Sequence, residues 1–216
     1  MGELKYRSVK VEEKEVANSG PTVSSLLQKA TLDDTHLRSI PYFLWSEDAT
    51  LEALRTLSVS DVLVLFTPVI PPPPEGSSQS SARDSGQDQA MDPFEPLGRA
   101  LSKYHRRVRH VPYVPAVGMT QTHTAFLQRA NAVVVVFCHG AMQAEDSDSE
   151  RGQLDFAQTA CDEASDGGVP ALVVMVAGDE ADTECVDFCD TVLCSFGYTP
   201  DALCGVADFI LGELTD

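Results

Sequence analysis

The sequence points to a three-layer α/β/α sandwich built on a mainly parallel sheet of about five strands. Three observations lead there. Short segments apolar at every position recur along the chain, as in Ala132-Val-Val-Val-Val-Phe-Cys138 and Ala171-Leu-Val-Val-Met-Val-Ala177. Strands of that kind are buried on both faces. Segments with helical spacing of apolar residues separate them, and that alternation builds parallel sheets with helices on either side.

Taken in order, residues 1–20 mix charged and apolar residues without a period and read as an arm or edge strand. Residues 22–38 carry partly helical spacing through Val23, Leu26, Leu27 and Ala30. Residues 1–45 are therefore expected to form an N-terminal arm and helix, and 46–216 the α/β-sandwich domain. Ser46 is a candidate cap for a helix bearing Leu51, Leu54 and Leu57. The run 62–66, followed by Pro68, reads as the first buried strand. Residues 71–92 open on four prolines and continue through Ser, Gln, Asp and Gly with almost nothing to bury. This tract is expected to be a disordered insertion in the domain.

Beyond it, 93–105 is helical with Phe94, Leu97, Leu101 and Tyr104 on one side, and Val108–Val114 is extended. Thr120 opens a helix bearing Phe126, Leu127 and Ala130, before the strand at 132–138. A helix over 151–164 buries Leu154, Ala157, Ala160, Cys161 and Ala164, and the strand at 171–177 follows. Thr191–Phe196 is the last strand. Thr199-Pro200 starts the last helix, because threonine caps the free N–H groups and proline suits the first helical position.

The 33 acidic and 15 basic residues give a net charge of −18, unevenly spread. Residues 145–216 hold eighteen Asp and Glu against Arg151 alone. Such a surface repels phosphate, so neither nucleic acid nor an anionic membrane is an expected partner. There is no run of 18 apolar residues and no apolar leader, so a cytoplasmic protein with six reduced cysteines is expected.

No G-x-G-x-x-G, Walker lysine or G-x-S-x-G elbow is present, so no cofactor is expected. The spacing of Cys185, Cys189, Cys194 and Cys204 does not match a structural zinc site, and no metal is expected either. The basic stretch Lys103–His110 suits the negative end of a helix or an anion. In an α/β sheet, ligands sit beyond the carboxyl ends of the strands. That rim is expected to carry Thr67, Tyr113, His139, Gly140, Gly178, Asp179 and Gly197. His139 is placed to move a proton. Glu145, Asp146, Asp148 and Glu150 crowd the loop after it, as a solvated acidic loop or as one half of a carboxylate pair.

Several motifs from Ala132 onward occur in a familiar order. They are Ala-Asn-Ala-Val-Val-Val-Val, Gly152-Gln153-Leu154, Gly168-Val-Pro-Ala-Leu-Val-Val-Met-Val-Ala-Gly-Asp179, and a closing helix reaching Leu211-Gly212. With His110-Val-Pro-Tyr-Val-Pro, Gly118-Met-Thr and His123 upstream, the chain over 46–214 resembles the second, α/β-sandwich domain of glycoside hydrolase family 3. It is most similar to fungal intracellular β-N-acetylglucosaminidase-like members. The resemblance implies a sugar ligand and a (β/α)₈ barrel, as domain or separate chain, that carries the aspartate nucleophile. No barrel segment of the K-H-F-P-G-H type is found in the 216 residues. In the β-glucosidase branch the second domain lends an acid from a loop, which makes Glu145 and Glu150 the candidates here. The resemblance thus implies a hydrolase part that is not catalytic alone. A free-standing α/β module binding a small ligand or a protein is the alternative.

Overall fold

The structure, a computed structural model, describes residues 40–70, 92–139, 147–177 and 186–212. The expectations for the N-terminal arm and helix through residue 39, for the tract through residue 91, and for Gly140, Glu145, Gly178 and Asp179 fall outside these residues.

Eleven elements follow one another among the described residues. They are β1 (Tyr42–Trp45), α1 (Asp48–Arg55), β2 (Leu63–Pro68), α2 (Glu95–Tyr104), β3 (Val108–Tyr113) and α3 (Gln121–Leu127), then β4 (Ala132–His139), α4 (Ser147–Asp166), β5 (Ala171–Ala177), β6 (Val192–Phe196) and α5 (Pro200–Leu211). The six strands form one sheet in the order β1-β6-β5-β4-β2-β3. All neighbours are parallel except β1, which runs antiparallel to β6. The expected three-layer sandwich is present, with one strand more than expected.

Alternation along the central strands divides the core in two. Leu63, Leu65, Val134, Val136, Val174 and Leu193 meet α1, α2 and α5 on one face. Val64, Phe66, Val133, Val135, Val173 and Met175 meet α3 and α4 on the other. Nearly all of these side chains are wholly inaccessible. Each such residue contributes about 1.5–3 kcal/mol through burial, which is why an apolar run without alternation is stable here and nowhere near a surface.

The caps show how closely local signals hold. Thr199 accepts a hydrogen bond from the Ala202 amide (3.1 Å), with Pro200 at the first helical position, as expected. At α1 the cap is Glu47 rather than Ser46, and no side chain caps it. The Glu47 amide instead donates to the Thr191 hydroxyl (3.1 Å), which fixes the entry to α1 against the start of β6. Tyr104, expected on the buried side of α2, is exposed, and its hydroxyl donates to Asp208 of α5. Arg55 donates to the carbonyls of Phe209 and Ile210, placing a cation at the carboxyl end of α5. No helix among the described residues is long and apolar enough to cross a membrane.

Candidate functional site

Strand order decides where a ligand would sit. From β2 the chain moves outward to β3, then returns across β2 to lay down β4 and continues outward through β5 and β6. The direction reverses between β2 and β4. A crevice opens at such a boundary because the connections after the two strands leave on opposite faces of the sheet. That boundary lies here at the carboxyl ends of β2 and β4, Pro68 and His139. Asp148 and Glu150 lie in the first turn of α4, where the exposed N–H groups favour negative charge.

His139 and Glu150 meet at this edge. His139 is the last residue of β4, and its Nδ1 lies against Glu150 Oε1. The two side chains are 19% and 36% exposed, so the pair is half-sheltered but reachable from solvent. One turn further along α4, Gln153 is fully buried. Its Oε1 accepts from the Cys138 amide (3.0 Å), tying α4 to the end of β4. Among the described residues its Nε2 has no hydrogen-bond partner.

Gly152 sets the height of this helix. A Cβ at Gly152 would stand 2.5 Å from the Pro115 carbonyl oxygen and 2.8 Å from its carbon. Glycine is what lets α4 press against the β3–α3 connection. The Gly152-Gln153 pair therefore has two separate tasks, close approach and a hydrogen-bonded strut.

Thr67 and Tyr113 lie at strand ends as expected, but neither lines the rim, because both are completely buried. Tyr113 stacks on Phe156 with ring centroids 3.7 Å apart and planes 2° apart, and its hydroxyl donates to the Val136 carbonyl (2.9 Å). Burial holds its phenol well above the ordinary range. Thr67 lies 2.7 Å from His110 Nε2, which is also 3.4 Å from Asp92 Oδ2. Thr, His and Asp are the ingredients of a nucleophile relay. Both contacts use the same ring nitrogen, however, whereas a relay needs the nucleophile on one nitrogen and the orienting acid on the other. This trio is structural.

His123 is structural as well. Its Nδ1 accepts from the Thr120 amide (3.1 Å) and its Nε2 faces the Pro112 carbonyl at 3.3 Å, so it closes the cap of α3. The basic stretch divides as its position suggests. Lys103 lies in the last turn of α2, His105 bonds the Asp61 carbonyl, and Arg109 and His110 belong to β3. Gly197 has φ +78°, a left-handed conformation that suits glycine, at the turn from β6 into α5. Among the described residues no three His, Cys, Asp or Glu side chains converge as metal ligands.

His110 gives this arrangement a pH signature. Burial is the largest influence and holds its pKa below 6.5, against the raising effects of Asp92 and Glu95. The folded state thus favours the neutral ring. The associated stability is fully present above the unfolded value of about 6.5 and is lost as pH falls towards the depressed folded value. In chemical denaturation, the native chain should lose stability more steeply than His110→Gln as pH falls below the unfolded value of about 6.5. Equal slopes in the two proteins would contradict this account.

No family model and no curated protein matches the sequence. Solved structures do match the fold. One is a fungal multi-domain GH3 β-N-acetylglucosaminidase described as having a unique GCN5-related glucosamine N-acetyltransferase region. It superposes with a TM-score of 0.59 at 18% identity, covering 89% of this chain and 19% of that one. Another is a glycoside hydrolase family 3 β-N-acetylglucosaminidase from Paenibacillus sp. str. FPU-7. Its TM-score is 0.53 at 15% identity, with 97% of this chain and 34% of that one covered. At these identities the likeness establishes the fold. The chain spans about a fifth and about a third of the length of those two proteins.

Proposed function

We propose that this chain is a second-domain-like part of a family 3 glycoside hydrolase of the β-N-acetylglucosaminidase type, which shapes or covers a sugar site and does not hydrolyse on its own. The observation that carries the reading is the coincidence of two things. The fold is that of GH3 β-N-acetylglucosaminidase structures over 89% and 97% of this chain. His139 and Glu150 also meet beside the topological reversal of its sheet.

These groups suit a sugar. Hydroxyl and acetamido groups both donate and accept, so a carboxylate and an imidazole supply matching partners. Gly140, Glu145, Gly178 and Asp179 belong to the connections after β4 and β5 and are assigned to the same rim. Hydrolysis with retention needs two carboxyl groups roughly 5–5.5 Å apart, one as nucleophile and one as acid/base. Glu150, beside His139, offers one, and Glu145 of the preceding connection is the alternative. In this reading the nucleophile comes from a (β/α)₈ barrel, as domain or chain. Val69, Val114 and Val117, all exposed beyond the ends of β2 and β3, offer apolar surface for it. The cytoplasm is the proposed setting, in keeping with five free thiols among the described residues.

The test is incubation of the 216-residue chain with aryl N-acetyl-β-glucosaminide and aryl β-glucoside. Release of the aryl group at the buffer rate is expected. Turnover well above it, abolished by Glu150→Gln, would overturn the non-catalytic reading. A free-standing binding module is the other reading, favoured by the fact that His139, Glu150 and Gln153 form their arrangement within this one chain.

A further inference from the structure

The opposite, amino-terminal edge of the sheet holds a cavity of about 490 Å³, bounded by α1, the carboxyl end of α4, the start of β5 and the segment entering β6. That is the size of a small-molecule site rather than of an ion site. Three carboxylates border it from separate parts of the chain: Glu47 at the cap of α1, Asp162 in α4 and Asp190 before β6. Phe188 and Val169 add apolar wall, and no Lys or Arg lines it.

Two further observations favour a cationic ligand there. Helix carboxyl ends favour basic residues, because their last carbonyls carry partial negative charge. The last turn of α4 has no basic residue and instead holds Glu163 and Asp166, with Asp162 just before them. The end of α5, by contrast, receives Arg55 on the carbonyls of Phe209 and Ile210. The second observation is Thr50. It lines the cavity and is only 8% exposed, yet its hydroxyl forms no hydrogen bond among the described residues. Buried hydroxyls are normally paired, and the others here are: Thr67 with His110, Thr191 with the Glu47 amide and Ser195 with the Gly197 carbonyl.

We propose that this cavity binds a linear aliphatic polyamine, a chain of ammonium groups separated by methylenes. A metal ion does not suit it, since among the described residues no three His, Cys, Asp or Glu side chains converge. Separated carboxylates on a partly apolar wall match separated ammonium groups on an apolar chain. Each ammonium donates to a carboxylate, and the Thr50 hydroxyl is a further acceptor. The methylenes lie along Val169 and Phe188, whose ring also attracts a neighbouring cation. The net charge of −18 draws any polycation towards the surface, so selectivity rests on the cavity itself. The site is at the end of the sheet away from His139 and Glu150 and is independent of the sugar reading.

The experiment is isothermal titration calorimetry of the full chain with spermidine, in about 0.15 M salt so that the long-range surface field is screened. Saturable binding to one site per chain is expected, with no saturable heat from magnesium over the same range. Asp162→Asn and Asp190→Asn should each weaken spermidine binding about fivefold. Asp201→Asn on α5, outside the cavity, should leave it unchanged. Thr50→Val keeps the shape and removes the hydroxyl. It should weaken binding without lowering the melting temperature, because that hydroxyl has no protein partner to lose. Absence of saturable binding by the unsubstituted chain would overturn the proposal even if a variant misfolds. So would binding that magnesium matches, that survives both cavity aspartate substitutions, or that Asp201→Asn weakens equally, since each is the mark of counterion attraction to the whole surface.

Discussion

Gly152→Ala is expected to lower the melting temperature by about 5–10 °C and to loosen the His139–Glu150 pair at the same time. The added methyl would stand 2.5 Å from the Pro115 carbonyl oxygen. That neighbour is backbone, held between β3 and α3, and cannot swing aside as a side-chain tip would. Overpacking of this kind typically costs ~1–3 kcal/mol, and the higher end applies because both partners are rigid. For a chain of this size ~1 kcal/mol corresponds to ~2–4 °C. The helix relieves the contact by lifting its first turns, which carry Glu150 and Gln153. Calorimetry measures the stability, and the His139 ring resonances report the pair. An unchanged melting temperature with unchanged His139 resonances would show that the approach of α4 to Pro115 is not as tight as described.

The largest stability effect should come from Phe156→Ala. Phe156 stacks on Tyr113, and Phe66 and His123 meet its ring edge-on at 5.4 and 5.1 Å. It is the common member of a cluster joining β2, β3, α3 and α4. Phe→Ala in a core costs ~3–5 kcal/mol through lost burial and the cavity left behind. That is a fifth or more of the ~5–15 kcal/mol by which domains are stable. Denaturant unfolding should show a midpoint shift of that size with the slope unchanged. Phe156→Leu should recover most of it by refilling the volume. A loss below about 1 kcal/mol for Phe156→Ala would mean that the stack with Tyr113 is dispensable.

The central strands were legible because burial on both faces erases alternation. Ala132–Cys138 and Ala171–Ala177 admit no other reading next to helical segments. β1 was not legible. Tyr42–Trp45 is an apolar run of only four residues, too short to separate a strand from a helix segment, and it is a strand because β6 offers an open edge and Trp45 Nε1 donates to the Cys189 carbonyl. Both facts are tertiary.

The site divided in the same way. The position of His139 at a strand end could be read from sequence, while the burial of Thr67 and Tyr113 could not. Strand position says how far along the sheet a residue lies; it does not say what covers it. Tyr113 is covered by Phe156, 43 residues later in the chain, and Thr67 by His110 of the neighbouring strand. Gln153 entered the sequence reading only through the family resemblance, yet a signal for it was present. It falls on the stripe shared with Ala157, Ala160, Cys161 and Ala164, where a polar residue must have a buried partner.

The most direct test of the proposed role is a titration of the isotopically labelled chain with N-acetylglucosamine, following the His139 ring and the Gln153 side-chain amide by NMR. The account predicts saturable shifts at both, weakened by Glu150→Gln, with the aromatic cluster around Phe156 unmoved. Shifts that are absent at His139 and Gln153, or that appear there only with compounds unrelated to sugars, would contradict it.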